Sequence, residues 1–167
     1  MRKIILAVAA LVAAGTNIAV AQTSPKTTKK FGDWALSCRQ LAADGPERCV
    51  LFQDILWKKG GKRILNVSLA RAGKDKPFVA AVTTPLGILL PAGLTLNVDD
   101  KELVRFPLRF CNINGCRGQF PITEAMQKLF SNGNKGRVQF RQPNGRPLRV
   151  EFSLKGFEAG FMVLKTK

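Results

Sequence analysis

Histidine and tyrosine are both missing from this 167-residue chain. Without an imidazole, Ser–His and Cys–His activation of a nucleophile is closed within the chain, as are the usual zinc sites. Without tyrosine, and with Trp34 and Trp57 as the only tryptophans, the aromatic girdles of an outer-membrane barrel are absent. Acid is scarce as well: 11 Asp and Glu stand against 27 Lys and Arg, a net charge of +16. None of the four cysteines forms a Cys-x-x-Cys pair beside a βαβ pattern, the setting a thiol–disulfide catalyst needs. Nothing in the sequence calls for a cofactor or a metal.

The N-terminus carries an export signature. Arg2 and Lys3 form a positive start, and Ile4 to Ala14 is an uncharged apolar run of eleven residues. Ala19-Val20-Ala21 then offers the small residues a signal peptidase reads, so cleavage is expected between Ala21 and Gln22. Eleven apolar residues fall short of the ~20 a membrane-spanning helix requires. Residues 1–21 are therefore read as a signal peptide and 22–30 (QTSPKTTKK) as a flexible basic leader. Residues 31–167 form a single domain. Losing Arg2 and Lys3 leaves 25 basic against 11 acidic side chains, a net charge of +14. Such an excess attracts anionic surfaces, glycans, lipid headgroups or acidic proteins. A solvated surface that keeps an exported protein in solution would explain it equally.

From Phe31 onward, short apolar segments alternate with Gly, Pro, Asn and Asp clusters, the spacing of an all-β sandwich. Strands are expected at 34–38, 49–57, 64–71, 78–83, 94–98, 102–111, 137–141 and 148–154. Residues 156–164 are expected to close the sheet. In the 102–111 segment, Val104, Phe106, Leu108 and Phe110 share one side by period-two alternation. Asn144-Gly145 signals a hairpin between 137–141 and 148–154. The apolar run Pro85 to Leu94 reads as a buried strand bent at Pro91 and Gly93. One short helix is expected after Thr123, with Met126, Leu129 and Phe130 on its apolar side. Trp34, Phe106, Phe110, Val150, Phe152 and Phe157 are the predicted core.

Four cysteines in an exported chain imply two disulfides, with three ways of pairing them. Turn-forming links favour local bridges, Cys38 with Cys49 and Cys111 with Cys116. Five arginines, Arg105, Arg109, Arg137, Arg141 and Arg149, point away from the apolar sides of their strands. If those strands are neighbours, the guanidinium groups form one surface for phosphate, sulfate or carboxylate. Asp33, Asp54, Asp99, Asp100 and Glu102 are the carboxylates a hydrolase would draw on, but Asp99-Asp100 is more simply a turn.

Four features occur in order: Phe31-Gly32-Asp33-Trp34 with Cys38 after it; PLGILLPAGL followed by Val98-Asp99; Cys111-Asn112-Ile113-Asn114-Gly115-Cys116; and Ser153-Leu154-Lys155-Gly156-Phe157. Over Phe31 to Phe157 the chain resembles the invasion-associated locus B family of bacterial envelope and secreted proteins. The resemblance implies an immunoglobulin-like antiparallel β-sandwich, export and, in some pathogens, a role in entering host red cells. It implies no catalytic residues. The chain departs from the family in its basicity and in Arg117-Gly118 after Cys116. The reading that results is an exported, non-enzymatic envelope or secreted binding protein, periplasmic, released or peripherally attached to the outer membrane. The alternatives are a carboxylate-dependent periplasmic hydrolase and an outer-membrane-associated structural protein.

Overall fold

A computed structural model describes residues 27–40, 45–58, 61–73 and 76–167. The expected signal peptide, with its Ala21–Gln22 cleavage point, lies outside the described residues. Two antiparallel sheets carry eleven strands among the described residues. The larger sheet contains β1 (Thr27–Phe31), β2 (Trp34–Gln40), β3 (Glu47–Leu56), β4 (Arg63–Arg71) and β5 (Phe78–Thr84) in sequence order. Beyond β5 it continues with β9 (Gly115–Pro121) and then β8 (Leu108–Asn112). The smaller sheet has the order β11 (Pro147–Ser153), β10 (Lys135–Arg141), β6 (Leu94–Val98), β7 (Lys101–Phe106). Strand β1 begins four residues before Phe31, so Thr27–Lys30, expected as leader, is sheet edge.

Alternation sends Leu51, Leu65, Val67, Leu69 and Val82 inward from the larger sheet, and Leu94, Leu96, Val138, Phe140 and Phe152 inward from the smaller. These side chains share one core, and the Phe106 and Phe120 rings meet across it at 4.7 Å. Both disulfides join residues directly opposite in register, Cys38–Cys49 between β2 and β3 and Cys111–Cys116 between β8 and β9.

Four expectations are corrected. The 102–111 segment is two strands, because Pro107 carries the chain from the smaller sheet into the larger. A register shift between Leu108 and Phe110 then breaks the alternation. Phe106 is buried, but Phe110 ends 52% exposed rather than in the core. Val150 is only half-buried. The PLGILLPAGL run is an irregular link with one 3-10 turn at Leu90–Ala92, and both Leu86 and Leu90 are exposed. The expected closing strand is a second helix, α2 (Phe157–Lys165). Its buried residues Phe157, Gly160, Phe161 and Leu164 fall at i, i+3, i+4 and i+7, a helical stripe, and Gly160 lets the Leu51 side chain approach the helix.

The first helix, α1 (Glu124–Asn132), starts as expected, with Met126 N–H donating to the Thr123 hydroxyl. Phe130 is fully buried and stacks on Phe157 at 5.1 Å, while Leu129 stays largely exposed.

A clasp ties the two ends of the domain together. Asp33 N–H donates to the Lys155 carbonyl, and the Trp34 indole N–H donates to the Ser153 carbonyl at 2.9 Å. The Trp34 ring meets Phe157 edge-on at 5.3 Å. Gln53, facing inward from β3, donates to the Asp33 and Ser153 carbonyls and accepts from Ser153 N–H at 2.9 Å. Gln53 is one of few buried polar side chains, and every hydrogen-bonding atom of its amide group has a partner here, which is what makes its burial tolerable.

Candidate functional site

The outward face of the smaller sheet gathers the charges. Inward positions of β10 are Gly136, Val138 and Phe140, so Lys135, Arg137, Gln139 and Arg141 must face out. Register with the neighbouring strands then builds two rows across the sheet. One runs Arg149, Gln139, Thr95, Arg105; the next runs Glu151, Arg137, Asn97, Glu102. Arg141 lies beyond the first row, opposite Pro147.

The second row is internally neutralised. Arg137 donates to Asp100 at 2.6 Å and to Glu151 at 2.8 Å, and Lys135 lies 3.7 Å from Glu151. Those hydrogen bonds raise the Arg137 pKa further, Glu151 contributing most, and the Arg137 bond holds the Glu151 carboxyl below its ordinary range. Asp99 is lowered too, chiefly because its carboxylate accepts from the Lys135 and Asn134 backbone N–H groups at 3.0 Å. Asp99 and Asp100 form the two-residue link from β6 to β7 with left-handed φ values of 44° and 68°. This is the turn expected from sequence, and backbone hydrogen bonds to Asp99 hold it.

The first row is different. Arg105 pairs with Glu102 at 3.1 Å, but Arg149 bonds only the neutral Gln139, and Arg141 donates to the Gly145 carbonyl. Neither Arg141 nor Arg149 makes an ion pair among the described residues. Four of the five singled-out arginines thus share one face. Arg109 does not: it sits on β8 of the larger sheet, at the register shift that displaces Phe110. The neutral partners Gln139, Thr95 and Asn97 were not singled out from sequence, and Asp100 was singled out only as a hydrolase carboxylate or turn residue, not as a partner of Arg137. Glu151 was visible as an outward residue of its strand, but its role needs the β10–β11 register.

The candidate carboxylates do not assemble as an acid–base pair. Asp54 accepts from Asn66 and lies 3.6 Å from Arg63, Glu102 pairs with Arg105, and Asp33 stands apart from them in the clasp, which it joins through its backbone N–H and carbonyl. The recess lined by Asp99, Asp100, Asn134, Lys135, Arg137 and Glu151 does hold three carboxylates. Asp99 and Glu151 are both lowered, the wrong direction for a proton donor at neutral pH. Cys38, Glu47 and Cys49 lie close together, but the two sulfurs are bonded to each other and offer no thiolate to a metal. Among the described residues no helix is long and apolar enough to cross a membrane.

Comparison with known proteins follows the same lines. A family model described as invasion associated locus B (IalB) protein matches residues 34–165. Among solved structures, the crystal structure of invasion associated protein B from Bartonella henselae superposes with a TM-score of 0.74 at 19% identity. The match covers 84% of this chain and 95% of that one, and at this identity it speaks for the fold. No curated protein matches the chain.

Proposed function

This chain belongs to the invasion associated locus B family, and we propose that it is an exported, non-enzymatic binding protein of the cell envelope or its surroundings. Its ligand is anionic, a phosphorylated or sulfated glycan or lipid headgroup, held on the outward face of the smaller sheet. The observation that carries this reading is the first row: among the described residues Arg149 and Arg141 meet no acid, while the acids on that face are taken by Arg137, Lys135, Arg105 or backbone N–H groups. Planar guanidinium groups flanked by Gln139 and Thr95 suit bidentate capture of an oxyanion without a deep pocket. Export is supported by the N-terminal signature and by two disulfides, which persist in oxidising compartments. The name of the Bartonella henselae protein associates it with invasion. For this chain, contact with an anionic host or bacterial surface is the corresponding role.

The test is retention on heparin and on immobilised lipopolysaccharide, for wild type and Arg141→Ser/Arg149→Ser. Wild-type retention should fall steeply with added salt, because exposed charges are screened over about 8 Å at physiological ionic strength. The double variant should elute at clearly lower salt. Equal elution of the two proteins would remove this face from the function.

A further inference from the structure

A second surface stands apart from the arginine rows. Strand β3 ends where β4 begins, β5 ends beside that point, and the β8–β9 turn closes next to it, as the pairings Leu56 with Arg63, Asn66 with Thr83 and Thr84 with Cys116 require. Arg63 joins the parts directly by donating to the Asn114 carbonyl at 3.3 Å. One end of the larger sheet therefore presents the β3–β4 and β8–β9 turns with the exit of β5 beside them.

Large apolar side chains project from it. Leu56 and Trp57 are more than half exposed at the end of β3, Leu86 follows β5, and Ile113, 94% exposed, tops the β8–β9 turn. Phe110 faces outward on the same strands, opposite Arg117. The side chains are held in place by their backbones. Trp57 N–H donates to Lys62 O, Asn114 N–H donates to the Asn112 side chain, and the Cys111–Cys116 bond staples the turn beneath Ile113. Exposed apolar residues gathered at one end of a sheet are a recognised mark of an interaction site.

The surrounding charge identifies the partner. Lys58, Lys62, Arg63 and Arg117 stand among these side chains, and Asp54, on the same strands, is engaged by Arg63 and Asn66. We propose that this end of the sheet docks on an anionic lipid bilayer, with Trp57, Ile113, Leu86 and Leu56 entering the headgroup boundary and the cations meeting lipid phosphates. Protruding apolar residues on separate turns would need a protein partner with a matching set of separate pockets. A bilayer boundary accepts them without shape matching, and tryptophan is favoured at that depth. Interleaved Lys and Arg add attraction to anionic headgroups.

The experiment uses the protein recovered after export with its disulfides intact. Vesicles of phosphatidylcholine alone are compared with vesicles also containing phosphatidylglycerol, and with the same mixture carrying brominated acyl chains. Trp34 is buried, so Trp57 is the reporter, and a Trp57→Phe variant assigns its signal. Binding to the anionic vesicles should shift Trp57 emission to the blue, and brominated chains should quench it. Ile113→Ser/Leu86→Ser should weaken partition about tenfold through lost apolar burial, with thermal unfolding and heparin retention unchanged. Unchanged heparin retention keeps this surface distinct from the arginine rows. The proposal is overturned if vesicle-bound protein shows no quenching, if the double variant partitions like wild type, or if anionic vesicles bind nothing. It is also overturned if vesicles fail while an immobilised acidic polypeptide retains wild type and releases the double variant, which would assign the surface to a protein partner.

Discussion

Replacing Gly156 by alanine probes the clasp with an internal control. Gly156 has φ of 88° and starts α2, and a Cβ there would fall on the backbone carbonyl of Phe31. Gly145, in the β10–β11 turn, has nearly the same φ, 81°, yet a Cβ there meets nothing within 4 Å. Placing alanine in the left-handed region costs about 1–2 kcal/mol at either position. The unfolded-state gain from losing a glycine, about 0.4–1 kcal/mol, also applies to both. Only Gly156→Ala must in addition push two backbones apart, an overpacking cost of about 1–3 kcal/mol. The difference between the two variants therefore isolates the close approach of Phe31 to Gly156. Urea unfolding of oxidised protein, followed by near-ultraviolet dichroism of Trp34, measures both, and unchanged m-values would license the comparison. A Gly156→Ala loss exceeding that of Gly145→Ala by about 1–3 kcal/mol is expected. Losses equal within about 0.5 kcal/mol, the usual error of additivity, would show that the two chain ends do not press together, and the reasoning about the clasp would fail.

Gln53→Leu should destabilise the domain by about 1–3 kcal/mol, because Ser153 N–H and the Asp33 carbonyl lose a buried partner; a neutral result in the same urea experiment would mean water replaces the amide. Removing the Cys38–Cys49 bridge by double serine substitution should cost about 3 kcal/mol and removing Cys111–Cys116 about 2 kcal/mol, from loop-closure entropy; the reverse order in thermal unfolding would contradict that account. Asp99 and Glu151 have lowered pKa values, so they contribute stability above the ordinary carboxylate range that is lost as pH falls through their folded-state values. The unfolding midpoint should therefore drop below about pH 4, and Asp99→Asn should flatten that slope; an Asp99→Asn profile identical to wild type would remove this turn from the acid response.

Most strands were legible because their two sides differ in polarity. β10 and β11 alternate cleanly, and Asn144-Gly145 marks the hairpin joining them. Where alternation was interrupted, reading by pattern failed for a physical reason. Val104, Phe106, Leu108 and Phe110 look like one apolar side, yet Pro107 moves the chain between sheets and the shift at Arg109 turns Phe110 outward. β9 (GCRGQFP) has two glycines and no β-branched residue, so only pairing with β5 and β8 makes it a strand. α2 reads as a strand by its Phe and Val residues, while its stripe at 157, 160, 161 and 164 depends on counting Gly160 as a packed position. Gln53 gave no signal, since a polar residue on an inward strand position is legible only once its partners are known.

The site was less legible than the fold because outward residues answer to neighbours on other strands. Period two placed Arg105, Arg137, Arg141 and Arg149 on the outside, but it is register that separates the neutralised Arg137 from the unneutralised Arg149. Two of the features by which the chain resembles its family form the clasp, while the other two include Leu86 and Ile113 of the apolar turn surface. Phe31-Gly32-Asp33-Trp34 and Ser153-Leu154-Lys155-Gly156-Phe157 are the two halves of the clasp, and Cys111 to Cys116 is a stapled turn. These residues join the two ends of the described domain and fix the sheet rims, so they specify a scaffold. The arginine rows and the apolar turn residues lie on its outer surfaces, where substitution alters charge and contact without opening the core. The family model spans residues 34–165 and so covers the core and both disulfides, while the proposed binding rests on the outer surfaces that this scaffold holds in place.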